Sequence, residues 1–598
     1  MRPASPTATA LRLILALTSL TQAQQLTIPL PNGASYTSVY NPVSKLNIWR
    51  GLPYAAPPLG NLRWQAPRDP PVINGTGAGT GTGGRVVVVA DKFGPRCPQA
   101  MPAIAGMPFV AGDEDCLYLS VYSPAGKGKG LPVLVMFHGG GYGAGDGSQD
   151  MSGFLGANGN GIVAVVVQYR LGAFGFLASP EVKRKGVLNA GLLDQNFALQ
   201  WVQKHISKFG GDPEGVTIAG ESAGAGSVLL HALARNGELG TSLFKNIISA
   251  SPWVPTQPYY DEAISIRHYN DFATAVGCSS REGVFDCLVS KDSLTLQRAA
   301  NKVSTSAPTP RGNWAFIPVT DGTYVPGPPS TQLAHGKLNG LRLLVGNNAN
   351  EGSLIPPPNI VTQNDLVAWI KSNFANLSER NITSLLAAYP SDSGPVVAST
   401  PRYETNGYGP GTAVNISQVA TGQQQRCYNM YAEASVICPS YWFASAFTGQ
   451  GRTAYHYQYS VPFAVHGADL TAYWGPATEN QGPDLVTAFR KIYGNFIVND
   501  NPSLSAADAN GASSSTPAKP NPITNWPPWT TTGSPILINL NQTGGTPYTA
   551  MTSLGISVTQ FRGPGLRNNF TAAEAYPWEG GRGKRCDLWR EISIFVPQ

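Results

Sequence analysis

The chain has 598 residues, of which 42% are hydrophobic and 13% charged, and its formal net charge is +6. That length supplies ample material for a large core, and the small charge, gathered in no basic run, excludes a nucleic-acid footprint. The seven cysteines include no Cys-x-x-Cys pair, which argues against a metal site, and the chain shows no internal repeat.

Residues 1–23 read as a secretory signal. Arg2 is the first charge, an apolar core at 11–20 carries one Arg, and Thr21-Gln22-Ala23 supplies small residues for cleavage. The core is too short to span a bilayer and no other run is long enough, so stable membrane insertion is not expected. The remainder, 24–598, reads as one elaborated domain. Low-complexity stretches at 75–84 and 503–522 read as surface loops within it.

Leu131–Phe137 is short, apolar and rich in β-formers, which predicts a buried strand. It runs into His138-Gly139-Gly140-Gly141-Tyr142, where consecutive glycines leave backbone N–H groups uncovered. Fixed donors of that kind stabilise a developing oxyanion. Next comes a second apolar run, Val216-Thr217-Ile218-Ala219, then Gly220-Glu221-Ser222-Ala223-Gly224, then a helix-like segment from Ser227 to Ala234. Strand, tight turn and helix is the setting in which Gly-x-Ser-x-Gly presents a nucleophile. A Ser between glycines is also an ordinary turn residue, so the context carries the reading.

A Ser hydroxyl needs a base, and the base needs an orienting carboxylate. Residues 341–346 predict another buried strand, and Glu351 is the one carboxylate just beyond it. Of the seven histidines, only His456 and His466 lie in the last third. His456 sits inside an alternating strand pattern, Ala454-Tyr455-His456-Tyr457-Gln458-Tyr459, and reads as structural. His466 follows in a loop, where it could reach a nucleophile at the carboxyl edge of a sheet. Asp469, three residues on, reads as a cap for the segment that follows. Six Asn-x-Ser/Thr sequons, at Asn74, Asn376, Asn381, Asn415, Asn541 and Asn569, are glycosylation candidates consistent with export.

Further signatures point to a family. The run from Trp49 to Trp64 (Trp-Arg-Gly-Leu-Pro-Tyr-Ala-Ala-Pro-Pro-Leu-Gly-Asn-Leu-Arg-Trp) resembles the opening signature of type-B carboxylesterases, the family that includes cholinesterases and certain fungal lipases. Asp113-Glu114-Asp115-Cys116-Leu117 resembles its second signature. Tyr169-Arg170-Leu171-Gly172, Gly191-Leu192-Leu193-Asp194-Gln195 and Phe209-Gly210-Gly211-Asp212-Pro213 follow in the family's order. The resemblance implies an α/β-hydrolase fold: a large, mostly parallel sheet flanked by helices, with elaborated loops over the active site. It implies Ser222 as nucleophile, Glu351 as triad acid and His466 as base. The oxyanion hole would be the N–H groups of Gly140, Gly141 and Ala223. It further implies disulfides Cys97–Cys116, Cys278–Cys287 and Cys438–Cys586, leaving Cys427 unpaired, and buried ion pairs Arg63–Glu114 and Arg170–Asp194. No metal or organic cofactor is required. The expected partner is a small-molecule ester.

Substrate choice is less legible. Eighteen residues separate Cys97 from Cys116, short for a lipase lid, and the loop holds no Trp of the kind with which cholinesterases stack choline. The expectation is an apolar pocket for short- to medium-chain or aromatic esters, in which Trp253 and Pro255 either shape the acyl side or belong to the core. A lipase or sterol esterase acting on long-chain esters is the alternative. A non-catalytic binding relative is a third reading, opposed by the presence of Ser222, Glu351, His466 and the glycines.

Overall fold

A computed structural model describes residues 25–598, apart from 74–84, 102–107, 280–282, 307–313, 354, 390–406, 409–411, 415–416, 517–518, 552–554, 556 and 597–598. The expected signal segment, the loop at 75–84, part of the Cys97–Cys116 loop and the sequons at Asn74 and Asn415 therefore lie outside the described residues.

Eleven strands form the main sheet: β1 (Val39–Asn41), β2 (Leu46–Pro53), β3 (Tyr118–Pro124), β4 (Leu131–Phe137), β5 (Val163–Val167), β6 (Gly211–Glu221), β7 (Asn246–Ala250), β8 (Arg342–Asn348), β9 (Thr453–Tyr459), β10 (Ile536–Thr543) and β11 (Arg567–Glu574). Their spatial order is β11-β10-β9-β8-β7-β6-β4-β5-β3-β2-β1. From β10 to β5 every pairing is parallel, and antiparallel strands close both edges. The strands expected at 131–137, 216–219, 341–346 and 454–459 are β4, the end of β6, β8 and β9.

Parallel strands are covered on both faces, so they read as unbroken apolar runs. In β4, Val133, Val135 and Phe137 face one core while Leu134 and Met136 face the other. Helices α1 (Ala190–His205), α2 (Ala223–Leu233), α3 (Gly422–Ala432), α4 (Cys438–Ala446) and α6 (Trp578–Ile592) pack into the first core. Helix α5 (Pro483–Asn499) places Leu485, Phe489, Ile492 and Phe496 in the second.

Both expected ion pairs form in the core. Arg63 reaches Glu114 through Nε and Nη2 at 2.7 and 2.8 Å. Arg170 reaches Asp194 through Nε and Nη2, both at 2.7 Å, and its amide donates to the same carboxylate at 3.1 Å. Disulfides join Cys97 to Cys116, Cys278 to Cys287 and Cys438 to Cys586, and Cys427 is free and buried. The last bridge ties α4 to α6.

Local expectations are corrected at three points. Residues 503–522 are not simply loop, because Ser505 caps a short helix over Ala506–Asn510 by accepting from the Asp508 amide. Asn541 lies on β10 between neighbouring strands and is 5% exposed, so a glycan has no room there. Asp469 makes no capping bond, and its buried carboxylate serves a different purpose, described below.

Candidate active site

The carboxyl ends of β4, β6, β7 and β8 align, with Phe137 opposite Gly220, Glu221 opposite Ala250 and Ala250 opposite Gly346. At this edge β6 turns sharply into α2. Ser222 occupies the turn at φ 57, ψ −123, a conformation that costs a non-glycine residue on the order of 1–3 kcal/mol. The flanking glycines make the turn possible. A Cβ on Gly220 would lie 2.2 Å from the Gly224 carbonyl carbon, and one on Gly224 would lie 2.2 Å from the Phe137 carbonyl oxygen. The pentapeptide is thus a packing requirement, and its result is a hydroxyl held out beyond the sheet with α2 behind it.

His466 arrives from the loop after β9. Its Nε2 lies 2.7 Å from Ser222 Oγ, and its Nδ1 lies 2.5 Å from Glu351 Oε2. Glu351, just past β8, is fully buried. Its other oxygen accepts from Ser251 Oγ at 2.6 Å and from the Asn348 amide at 2.5 Å. His456 is elsewhere: Nε2 is 2.9 Å from Ser440 Oγ, and burial lowers its ring to about 3.

Gly140 and Gly141 follow β4 with φ of 101° and 62°, in the left-handed region. A Cβ on Gly140 would meet the Ala144 carbonyl oxygen at 2.2 Å. Among the described residues the backbone N–H groups of Gly140, Gly141 and Ala223 donate to no protein acceptor. Ala223 opens α2, where the first amides lack intrahelical partners. Such donors can hold an oxyanion.

The sequence profile of the carboxylesterase family matches residues 32–551, most of the chain. The chain belongs to the carboxylesterase family. It is similar to Lipase 5 of Diutina rugosa, at 32% identity over 64% of this chain and 73% of that protein. It is similar to the secreted triacylglycerol lipase LIP1 of Gibberella zeae, at 29% identity over 80% and 83%. It is 34% identical to the para-nitrobenzyl esterase of Bacillus subtilis over 52% of this chain and 60% of that one. Among solved structures, EstA of Aspergillus niger superposes with a TM-score of 0.73 at 25% identity, covering 97% of this chain and 100% of that one. This carboxylesterase has the α/β-hydrolase fold and is a serine-type carboxylic ester hydrolase.

Two further carboxylates surround the imidazole of this carboxylesterase: Glu221, which sequence reasoning missed, and Asp469, which it read as a helix cap. Glu221, inside the Gly-x-Ser-x-Gly turn, places Oε1 3.7 Å from His466 Nε2. Asp469 is wholly buried and accepts from Asn348 Nδ2 and from Tyr457 Oη, each at 3.1 Å. Burial raises Glu221 to about 7, with Asp469 and Glu351 adding to the rise against the pull of His466. Burial likewise raises Asp469 to about 6, opposed by its bond from Asn348. For His466, burial favours the neutral ring, but Glu351 first, then Glu221 and Asp469, outweigh it and lift the imidazole to about 9. The only local signal for these carboxylates was their position, one within the turn and one three residues past His466.

Two cavities flank the carboxylesterase site. One, of about 700 Å³, is lined by Gly139, Gly140, Asp146, Glu221, Leu470 and Trp474. It lies on the His466 side, since Glu221 is close to Nε2 and Leu470 follows His466 along the chain. The other, of about 670 Å³, is lined by Phe176, Trp253, Pro255, Trp314, Phe316 and Phe374 among others. It lies toward β7, where the Trp253 amide donates to the Ser222 carbonyl at 3.1 Å. Trp253 is both buried core and cavity wall, which joins the two readings the sequence left open.

Proposed function

We propose that Ser222 attacks the carbonyl carbon of a short- to medium-chain or aromatic ester while His466 Nε2 takes its proton. The N–H groups of Gly140, Gly141 and Ala223 hold the tetrahedral oxyanion. His466⁺, paired with Glu351, protonates the departing alcohol toward the cavity lined by Glu221, leaving an acyl-enzyme. Water, deprotonated by the same imidazole, then attacks the acyl carbon, and Ser222 leaves with the proton returned. The observation that carries this reading is the unbroken hydrogen-bond chain from Ser222 through His466 to a buried Glu351, at 2.7 and 2.5 Å.

The aromatic wall beside Ser222 supports a small or flat acyl group. The lipase names of the relatives favour a second reading, hydrolysis of long-chain esters. Relatives named as secreted lipases also support an extracellular site of action, reached through the signal at 1–23. Exposed Asn376 and Asn569 are the reachable sequons among the described residues, since Asn381 Nδ2 is buried, and no described helix is long and apolar enough to cross a membrane.

The test is turnover of p-nitrophenyl esters from acetate to palmitate, phenolic esters and emulsified triglyceride, with wild type and Ser222→Ala. Wild type is expected to favour soluble short and aromatic esters. The variant should lose on the order of a millionfold in kcat and all labelling by a fluorophosphonate probe. Labelling that survives in the variant refutes the nucleophile, and a preference for emulsified long-chain substrate selects the lipase reading.

A further inference from the structure

The apolar cavity toward β7 has a closed end and an open one, and burial tells them apart. Of its lining residues, Phe176, Trp253, Phe316 and Phe374 are buried, whereas Ile264 is 36% exposed and Phe595 is 41% exposed. Arg267, Ala375 and Asn376 are exposed on the same rim. A space of about 670 Å³ with an aromatic floor thus opens to water between large apolar groups. Exposed apolar surface that rims a cavity marks a place something covers.

Asn376 stands on that rim and opens the sequon Asn376-Leu377-Ser378. It lies in the turn between the helices Gln363–Asn373 and Glu379–Ala388. The chain on either side of it is pinned by the fold. Phe374 and Leu377 are buried, and Ser378 Oγ caps the second helix by accepting from the Asn381 amide at 3.2 Å. The exposed Asn376 side chain therefore leaves from a fixed point at the cavity mouth. The other exposed sequon, at Asn569 on β11, lines neither of the two cavities beside the active site.

We propose that Asn376 carries an N-linked oligosaccharide whose first sugars lie across Ile264 and Phe595 and close the outer mouth of this cavity. A pyranose has a face of C–H groups and an edge of hydroxyls. The C–H face packs on the Ile264 side chain and on the Phe595 ring, whose face is the negative side of its quadrupole. The hydroxyls stay hydrated or accept from the exposed Arg267 guanidinium. The sugar thereby turns an apolar rim into a solvated one. In the transfer, the Asn376 amide nitrogen attacks the anomeric carbon of a lipid-diphosphate-linked oligosaccharide. The C–N bond forms, the anomeric C–O bond breaks, and one amide proton is lost as the lipid diphosphate departs. The proposal goes beyond the ester-hydrolase reading and rests on the extracellular one. Neither Ser222 nor the oxyanion-loop glycines line the cavity, so the glycan leaves short-ester turnover in place.

The experiment secretes the full chain from a glycosylating host as wild type, Asn376→Gln, Asn569→Gln and the double variant Asn376→Gln/Ile317→Trp. Peptide mass spectrometry reads occupancy, and the fluorescence of anilinonaphthalene sulfonate with the folded protein reads access to the cavity. Asn376 is expected to be occupied. Asn376→Gln is expected to raise the dye signal at least about threefold, because an apolar cavity opened to water takes up the dye. Asn569→Gln should leave the signal at the wild-type level, and Ile317→Trp should cancel the gain by filling the cavity. Unchanged turnover of p-nitrophenyl butyrate shows that each variant is folded. An unmodified Asn376 in the secreted protein overturns the proposal, as does an occupied Asn376 whose loss leaves the dye signal unchanged, or a gain that survives Ile317→Trp. Should Asn376→Gln not be secreted, peptide-N-glycosidase treatment of folded Asn569→Gln carries the same dye test with the same expected direction. A chain that keeps its signal segment and never leaves the cell would sink the extracellular reading, and the proposal with it.

Discussion

Replacing Glu351 by Gln tests whether the triad acid is assigned correctly. The substitution is nearly isosteric, so the fully buried site keeps its packing. The hydrogen bonds decide which way the amide turns. Oε1 of Glu351 accepts from the Asn348 main-chain N–H at 2.5 Å, a donor that cannot reverse. A Gln must therefore put its carbonyl there and its NH2 toward His466 Nδ1. An amide N–H at that position forces Nδ1 to accept, which moves the ring proton to Nε2. That nitrogen lies 2.7 Å from Ser222 Oγ and must be bare to take the serine proton. The wrong tautomer is expected to cost on the order of 10⁴-fold in kcat, about 5.4 kcal/mol of transition-state stabilisation. KM should hold steady, because no substrate contact is removed. The assay is steady-state hydrolysis of p-nitrophenyl butyrate, with a thermal melt to show that the fold persists. A variant that melts like wild type and retains more than a tenth of its kcat would show that Glu351 does not orient His466, and Asp469 or Glu221 would then be the carboxylate to test.

The pH profile follows from the same cluster. His466 must be neutral to act as base, so activity falls as pH drops through its raised value, and the acidic limb of kcat/KM should lie above the ordinary imidazole 6.5. Glu221→Gln removes one carboxylate that favours the charged ring and should move that limb to lower pH; a limb that starts below 6.5, or that stays put in the variant, contradicts the electrostatic account. Arg170→Met strands the Asp194 carboxylate in a site where burial already opposes its charge. Equilibrium denaturation should show a loss of about 3–5 kcal/mol, and a change below 1 kcal/mol would mean that the pair is dispensable.

Much of the site could be read from the chain because its parts are backbone devices. Gly220 and Gly224 permit one sharp turn, the run before them is a doubly buried strand, and the glycines after β4 expose amides. Such features are encoded within a few residues of the group they position. His466 and Glu351 were singled out by order along the chain together with strand ends, and the fold brings them within hydrogen-bond reach of each other, since a residue just past a parallel strand arrives at the carboxyl edge.

What the sequence could not supply is the field around His466 and the walls of the pocket. Asp469 reads locally as a helix cap, and only the folded chain brings it under Asn348 and Tyr457, burying it and raising its carboxyl. Glu221 looks like a spacer in the pentapeptide until the loop after β9 lays His466 beside it. Trp314 is 92 positions from Ser222 and carries no motif, yet it rests on the glycine loop after β4. The sequence by itself determined the strand-turn-helix that presents Ser222, the exposed amides and the identity of the charge partners, because local sterics and strand order fix them. Which carboxylates share one buried volume, and which indole rests on the glycine loop after β4, was decided by the tertiary structure alone, because desolvation and contact depend on groups that meet only when distant segments pack.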